Sequence, residues 1–532
     1  RACLDTARVC LDAAHDGTEF DMPSMVRRLV ELADDVRLGP SSRAIVSAAV
    51  ARGIPFRRLN SGSLVQLGEG ARQRRIWTAE TDATSAIAES IAQDKELTKR
   101  LLHAVGVPVP LGRPVHSAED ACEAAREIGP PVAVKPRKAN HARGITLDIS
   151  TEEQIQAAYD WAVQDGENTG VLVEQYVRGY AHRLLVVGER LVAAARGESE
   201  FVTGDGQRTV RELVDEENRD PRRGENYTDL LNLLKLDAAA EIELKKQGLT
   251  PDSVPAKGRK VLVHHVGDLT TDCTEQVHPD NARKAVLAAR TIGLDIAGLD
   301  VIAEDISVPL EAQRGAVLEV NAGPGLSQHV APLHGKPQPV GKAIVDLLFE
   351  PGANGRIPII AVGGPGDRAR LAEVIDERLR GVGLRVARAT SAGLFYDGLR
   401  TNAAHSSDSA QVESLLVHPY ADAVVFESRP QQAAAHGLGC ERVDIAVLAG
   451  FSTTPAAAIS EGREDRRVDA LTMQHAIQTL LNAVPPAGSY FVPPESQPGE
   501  ALKLPRAQRR AWTSLDELAD GVCCAAANGR SG

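Results

Sequence analysis

Apolar residues recur at helical spacing in Asp21–Leu38, where Met25, Leu29, Leu32 and Val36 share a face. Ser42–Arg52 predicts a second helix, with a serine pair at its start and Gly53 as its stop. The polar turn Arg57–Ser63 leads into a short apolar strand, Leu64–Leu67. From residue 81 the pattern alternates. Thr84–Val105 predicts a helix stopped by Gly106, and Val107–Pro110 is extended because each proline disfavours helix in the residue before it. Ala118–Ile128 predicts a helix and Pro131–Pro136 a short buried strand. Val171–Tyr176 and Arg183–Ala195 are rich in strand formers, and the charged stretch Arg208–Gln247 predicts helix. Leu299–Ala303 and Ala316–Val320 predict two strands of a hairpin with a long connection. Mixed elements with antiparallel pairs point to α+β or α/β classes rather than all-α.

A Pro/Gly cluster at Glu350–Arg356 marks a boundary. Beyond it the apolar strands Ile357–Val362, Leu384–Ala389, Ala423–Phe426 and Asp444–Ala449 alternate with helices, the pattern of a doubly wound parallel sheet. A Pro-rich stretch follows Tyr490, and Ser514–Ala526 predicts a closing amphipathic helix. The expected division is 1–80, 81–352 and 353–532, which suits a chain of 532 residues.

Composition excludes several functions. The formal net charge is -12, from 60 Lys+Arg against 72 Asp+Glu, which weighs against non-specific nucleic-acid binding. Aromatic residues make up 3%, too few for a base-stacking platform. No apolar run approaches the ~18 residues of a membrane span. Seven cysteines without a CxxC pair fit sheltered thiols in a reducing compartment, so a cytoplasmic protein is expected. Arg1 opens the sequence without a signal peptide, and the chain is expected to start within a longer protein.

Three constellations could carry chemistry. Lys135 ends a buried strand and precedes Lys138 and the run Ala139–Gly144. A lysine there can meet a phosphate, and the following loop can cover a triphosphate with its N–H groups. A strand followed by a basic surface turn is the other reading. Glu174 stands near the end of a second strand, before Arg178 and Gly179. It could read an adenine amino group, or be an exposed residue of an edge strand. The third constellation is Asp300 on one strand and Glu319 with Asn321 on the next. Carboxylates inside apolar strands are costly unless paired or metal-bound. Paired as a hairpin, these strands would converge three oxygen ligands, as Mg²⁺ requires.

The order of Lys, Lys plus loop, strand with Glu, then Asp and Glu-x-Asn is similar to that of ATP-grasp enzymes. More closely, the segments Asp35–Ser41, Arg57–Gln66, Ala92–Leu102, Thr250–Pro255, Gly293–Gly298, Glu319–Gly325 and Gly355–Val362 resemble cyanophycin synthetase. The resemblance implies an N-terminal domain, then an ATP-grasp domain, then a Mur-ligase-like doubly wound domain, with ATP and Mg²⁺ as cofactors. It implies that Lys95 and Lys135 contact ATP phosphates and that Asn140–Gly144, including His141 and Arg143, covers them. It places Glu174 and Val177 at adenine, His182 beside the nucleotide, and Asp300, Glu319 and Asn321 on Mg²⁺. His329 would lie near the polymer substrate, and Lys135, Arg143 and His329 are expected at the reaction centre.

Departures from the family pattern are as informative. Ala139 and Ala142 stand where loop glycines are expected, and Ala181 where an acidic residue would meet ribose. His264–Cys273 is shorter than the family's loop, and an arginine expected around Ser327-Gln328 is missing. In the last third, Asp367, Arg368 and Ala369 fall in the place of a phosphate-binding loop, with Arg368 for its lysine and Ala369 for its threonine. Glu427–Gln431 lacks the family's glycines. The resemblance is therefore to the smaller, second type, which polymerises preformed β-aspartyl-arginine with one ATP-dependent step per unit. A homo-oligomer acting on a small-molecule or peptide-polymer substrate is expected. Two rival expectations are a related ATP-grasp peptide ligase with another amino acid or dipeptide, and a non-catalytic polymer-binding scaffold.

Overall fold

The computed structural model describes residues 2–136, 144, 146–165, 170–224, 231–264, 268–402, 408–450, 468–493, 502–503 and 505–528. These form two compact units, 1–48 with 61–63 and 76–347, and 49–60 with 64–75 and 348–532. Residues 1–80 are thus shared between them. No helix among the described residues is long and apolar enough to cross a membrane.

The first unit contains two antiparallel sheets that matter for function. One has four strands in the order Gly112–Val115, Val171–Gln175, Val132–Pro136, Thr146–Ile149. Val132, Val134, Val171 and Val173 share one face and pack under the helices Ala118–Ile128 and Glu152–Asp165, while Lys135 and Glu174 point to the other. The other has five strands in the order Leu269–Asp272, Arg190–Gly197, Tyr180–Val187, Ile296–Ala303, Ala316–Asn321. The expected hairpin of the last two strands is present. Leu184, Val186, Leu299 and Val301 form one buried face, against Ala285, Ala288 and Ala289 of the helix Pro279–Ile292.

Two helix expectations are corrected. Thr84–Val105 is two helices, Ala86–Gln93 and Lys95–Ala104. Asp94 has extended backbone and its carboxylate accepts from the Leu97 N–H at 3.0 Å, which ends one helix and caps the next. Arg208–Gln247 is also divided. Val210–Glu217 is closed at its start by a Thr209–Glu212 capping box, and Ala238–Lys246 forms a separate helix. Pro221 lies between them, and its ring and missing N–H prevent one continuous helix.

The second unit has one eight-stranded sheet, in the order Leu399–Asn402, Gly393–Tyr396, Val386–Thr390, Ala423–Glu427, Ile359–Gly363, Ile445–Leu448, Ser489–Val492, Gln508–Ala511. The last six are parallel; four of them are those the apolar pattern predicts, and Ser489–Val492 and Gln508–Ala511 extend the sheet beyond that expectation. The antiparallel hairpin at 393–402 adds two strands that the sequence pattern did not reveal. Successive residues of the central strand serve opposite faces: Ile359 and Ala361 join one core, Ile360 and Val362 the other. Both faces being covered explains an apolar run without alternation.

Residues 49–60 and 64–75 complete this unit. The Glu69 N–H donates to the Gly355 carbonyl and the Ala71 N–H to that of Ala421, both at 2.8 Å. A side chain at Gly70 (φ +52°) would place its Cβ 2.3 Å from the Ala421 carbonyl oxygen, so only glycine fits. Glu69 is buried, with Arg356 3.6 Å from its carboxylate. Burial pushes its carboxyl up to about 7, although Arg356 pulls the other way.

A folded-state pKa above the unfolded one means that the folded protein keeps this proton while the unfolded chain ionises. Stability therefore falls as pH rises from about 4.5 to about 7, by on the order of 3 kcal/mol. Glu69→Gln should remove this slope. Urea unfolding of the second unit across that window should show the parent losing stability relative to the variant; parallel profiles would refute the assignment.

Candidate active site

The helix Lys95–Ala104 carries Lys95 and Lys99 at i and i+4, one turn apart on the same face. Each lysine meets a carboxylate on a different sheet. The Lys99 ammonium pairs with Glu174 on the strand Val171–Gln175. Lys135, on the neighbouring strand Val132–Pro136, pairs with the other oxygen of the same carboxylate. Gly112 lies opposite Glu174 in the ladder, and a Cβ there would stand 2.5 Å from the Glu174 Cβ. Its missing side chain lets the strands close around the carboxylate.

Glu174 is 5% exposed. Burial pushes its carboxyl up, but the charges and hydrogen bonds of Lys135 and Lys99 outweigh it and hold the group below the ordinary value. Burial lowers the Lys99 pKa, and the adjacent Lys135 adds to that against the pull of Glu174. Two ammonium groups thus share one carboxylate, and the cluster keeps one net positive charge. An anion such as a phosphate is the natural complement.

Lys95 reaches the second cluster, with its Nζ 2.7 Å from the Glu319 carboxylate. Glu319 and Asp300 are direct cross-strand partners, and Asn321 faces Gly298 two pairs along, on the same face of the sheet. The Asn321 amide donates to Asp300 at 3.1 Å and to Glu319 at 3.3 Å. On the other side Arg183 donates to Asp300 at 2.5 Å. Burial, and then the facing Glu319, push the Asp300 carboxyl up, while Arg183 opposes them. Burial pushes Glu319 up too, but its contacts with Asp300 and Lys95 dominate and hold it down. Two facing carboxylates and an amide that can turn its oxygen inward suit a hard divalent cation. No cluster of three His, Cys, Asp or Glu ligands occurs among the described residues, so the fit is to a cation that takes further oxygens from a bound phosphate.

Some expected residues fall elsewhere. His182 precedes Arg183 in the strand Tyr180–Val187, so its side chain is on the opposite face from Asp300. It is 1% exposed, on the face of Leu184 and Val186, with Nδ1 2.9 Å from the Tyr180 carbonyl. It is a core histidine, and the nucleotide expectation for it is withdrawn. Arg183 takes the position facing the carboxylates. Val177 is half-buried in the segment after the Glu174 strand, and Gly144 adopts a left-handed turn at φ +65°. Asn140, His141 and Arg143 lie outside the described residues. His329 is 1% exposed in the short helix Ser327–Val330, and neither ring nitrogen has a hydrogen-bond partner among the described residues. Burial, aided by Arg183, pushes its pKa down to about 3, so the ring is neutral.

Sequence reasoning missed Lys99 and Arg183. Lys99 looks like any other lysine of an amphipathic helix; only the four-residue spacing from Lys95 hinted at it. Arg183 had a clearer signal, a charged residue within the apolar run Ala181–Val187.

In the second unit, the loop after the strand Ile359–Gly363 satisfies its own charges. Asp367 caps the helix Arg368–Gly381 by accepting from the Arg370 N–H at 3.0 Å. Its carboxylate therefore stands where a helix N-terminus would hold a phosphate. Arg368 donates to Glu427 at 3.2 Å and to the Gly364 carbonyl at 2.9 Å.

Glu174→Gln should leave two buried ammonium groups without their carboxylate and cost about 3–5 kcal/mol of stability in the first unit. Adding Lys99→Met should recover much of that loss. Urea midpoints of the parent, single and double variants measure this; a single variant within about 0.5 kcal/mol of the parent would contradict the pairing.

Residues 87–190 match the ATP-grasp domain family. The chain is 37% identical over 449 residues to cyanophycin synthetase of Nostoc sp., covering 83% of this chain and 50% of that protein. It is 36% identical to the enzyme of that name from Trichormus variabilis over the same shares, 83% and 50%. Against the bifunctional glutathione biosynthesis protein GshAB of Clostridium perfringens, identity is 30% over 58% of this chain and 41% of that protein. A solved bifunctional glutathione synthetase from Pasteurella multocida aligns at TM-score 0.46 and 27% identity, over 60% of this chain and 44% of that one. The chain spans about half the length of the cyanophycin synthetases it matches. With its two charge clusters set within and beyond the matched segment, the chain is a homologue of the cyanophycin synthetases that contains an ATP-grasp domain.

Proposed function

We propose that the chain is an ATP-dependent ligase that joins a carboxylate to an amine, and that it polymerises β-aspartyl-arginine dipeptides into cyanophycin. The observation that carries the reading is the pairing, on one helix face, of a net-positive Lys99–Glu174–Lys135 group with the Asp300–Glu319–Asn321 oxygens. The first suits the phosphates of ATP. Asp300, Glu319 and Asn321 would hold Mg²⁺, which supplies charge neutralisation to the phosphate oxygens.

In the reaction, a carboxylate oxygen of the growing chain bonds to the γ-phosphorus while the bond to the β,γ-bridging oxygen breaks. ADP leaves with that electron pair. The amine of the next unit then attacks the acyl carbon, phosphate departs with its C–O electrons, and the amine sheds a proton to solvent or phosphate. Lys135 and Lys99 stabilise the charge of the transferred group, and Arg183 fixes Asp300. His329, neutral and 1% exposed, is too enclosed in this structure to touch substrate, so the expected place for it at the reaction centre is not kept.

The self-satisfied loop of the second unit supports a single ATP-using step. Asp367 occupies the helix N-terminus and Arg368 is bonded to Glu427, so neither is free for phosphate. Arginine then has to arrive already attached to aspartate.

Lys135→Ala should lower ATP turnover by ~100-fold or more, because alanine supplies no charge to the transferred phosphoryl group. Lys99 keeps the Glu174 pairing, so the fold should survive; near-normal turnover would count against the phosphate role.

Primer-dependent ADP release should show one ATP consumed per dipeptide added, and no extension from free aspartate plus arginine. Arg368→Met with Glu427→Gln should leave that turnover intact. Robust incorporation of free arginine, or loss of turnover in the paired variant, would overturn the single-step reading.

A further inference from the structure

We infer that the second unit carries a binding site for a nitrogen cation on an aliphatic stem, a guanidinium or a primary ammonium, separate from the ATP-grasp residues and from the Gly363–Asp367 loop. The site is a cavity of about 390 Å³. Its walls come from Pro55–Arg57, the turn after Gln66, Leu416 and the segment His436–Glu441. Leu416 lies just before the strand Ala423–Glu427, and His436–Glu441 just before Ile445–Leu448. The cavity is therefore at the amino-terminal edge of the parallel strands. The Gly363–Asp367 loop follows the carboxyl end of its strand, at the opposite edge.

Two buried residues of the lining, Gln66 and Glu69, offer acceptor oxygens. Gln66 is 1% exposed, and its Nε2 donates to the carbonyls of Gly68 at 2.9 Å and Leu416 at 3.0 Å. Those two bonds fix which way the amide points. They leave Oε1 buried with no partner among the described residues. Beside it, Glu69 is 8% exposed and its contacts are long: 3.6 Å to Arg356 and 3.4 Å to the Ile357 N–H. A donor-rich cation would satisfy both oxygens at once.

The surroundings select the class further. Phe56, Leu416 and Leu438 offer apolar wall to a methylene stem. Glu441 adds an exposed carboxylate at the rim, only loosely held by Arg356 at 4.0 Å, and Arg57 is already engaged by Glu413 at 3.1 Å. Burial pushes the Cys440 thiol up to about 12, so it adds no charge. An anion would meet a carboxylate and an unpaired carbonyl oxygen at the bottom. A purely apolar molecule would leave Oε1 unsatisfied. The high Glu69 pKa agrees with this: Arg356 at 3.6 Å and the charge of Arg442 do not offset its burial, and a cation in direct contact would hold it ionised.

Calorimetric titration of the full chain tests the site, at about pH 8 where Glu69 is ionised. The probes are arginine, lysine and citrulline, the last nearly isosteric with arginine but uncharged. Arginine or lysine should bind at least about tenfold more tightly than citrulline. Glu69→Gln should abolish that preference, and Glu441→Lys should weaken cation binding by at least about fivefold. Lys135→Ala should leave it unchanged, which separates this site from the ATP-grasp residues. A parallel titration with β-aspartyl-arginine tells whether the head arrives on a peptide or a free amino acid; because the ATP-grasp residues are proposed to take that dipeptide too, only binding that Glu69→Gln removes and Lys135→Ala keeps counts for this site. Equal affinity for citrulline and arginine would overturn the inference. So would no cation binding up to about 10 mM, or cation binding that both substitutions leave untouched. Should Glu69→Gln fail to fold, the exposed Glu441→Lys decides alone.

Discussion

Two ammonium groups and one carboxylate, held where little water reaches, set the terms for the first unit. At 4 Å and an effective dielectric of about 20, each charge pair is worth about 4 kcal/mol, so an unmatched charge is felt strongly. Glu174 compensates one lysine; the other charge is left for whatever the site receives. Holding that arrangement requires a glycine opposite Glu174, so that the strands can close. It also requires a helix that restarts at Asp94, so that Lys95 and Lys99 share a face. The local breaks in regular structure follow from the electrostatics they serve.

The second cluster has the opposite sign and the complementary need. Asp300 and Glu319 face each other across a ladder, an unfavourable placement without cations. Arg183 and Lys95 attend them from a neighbouring strand and from the helix. Much of this was legible in the sequence. Polar residues inside apolar strands are conspicuous, and Asp300, Glu319 and Asn321 were found that way. Lys135 and Glu174 were found too, but not their bond to each other, which depends on two strands adjacent only in the sheet. His182 shows the limit of such reading. A shift of one residue moves a side chain to the other face of a strand, and the parity of Tyr180–Val187 is fixed only by its pairing with Ile296–Ala303.

The second unit treats charge differently. Its four central parallel strands were legible because both faces are buried, which produces uninterrupted apolar runs, whereas Gln508–Ala511 at the edge is polar and mostly exposed and gave no such signal. The hairpin at 393–402 was not, since Leu394, Phe395 and Tyr396 are too few to distinguish a strand from a loop crossing apolar surface. Around the Gly363–Asp367 loop, carboxylates and arginines neutralise one another internally. Reverting Arg368 to lysine alone would leave the Asp367 carboxylate on the helix N-terminus, still repelling a phosphate.

The second unit draws its strands from distant parts of the chain, and this constrains how it can be made. Gln66 bonds a carbonyl 350 residues away, and Glu69 an N–H 288 residues away. At roughly 5–20 residues per second of synthesis, the segment Leu64–Leu67 leaves the ribosome about 15–70 seconds before those partners. Val65 and Leu67, fully buried in the finished protein, are without their final packing throughout that interval. The first unit has most of its chain in hand meanwhile, so it can fold while this segment waits. Protection of a nascent strand thus becomes part of the biogenesis of the sheet, and its yield should depend on chaperones more than its size would suggest.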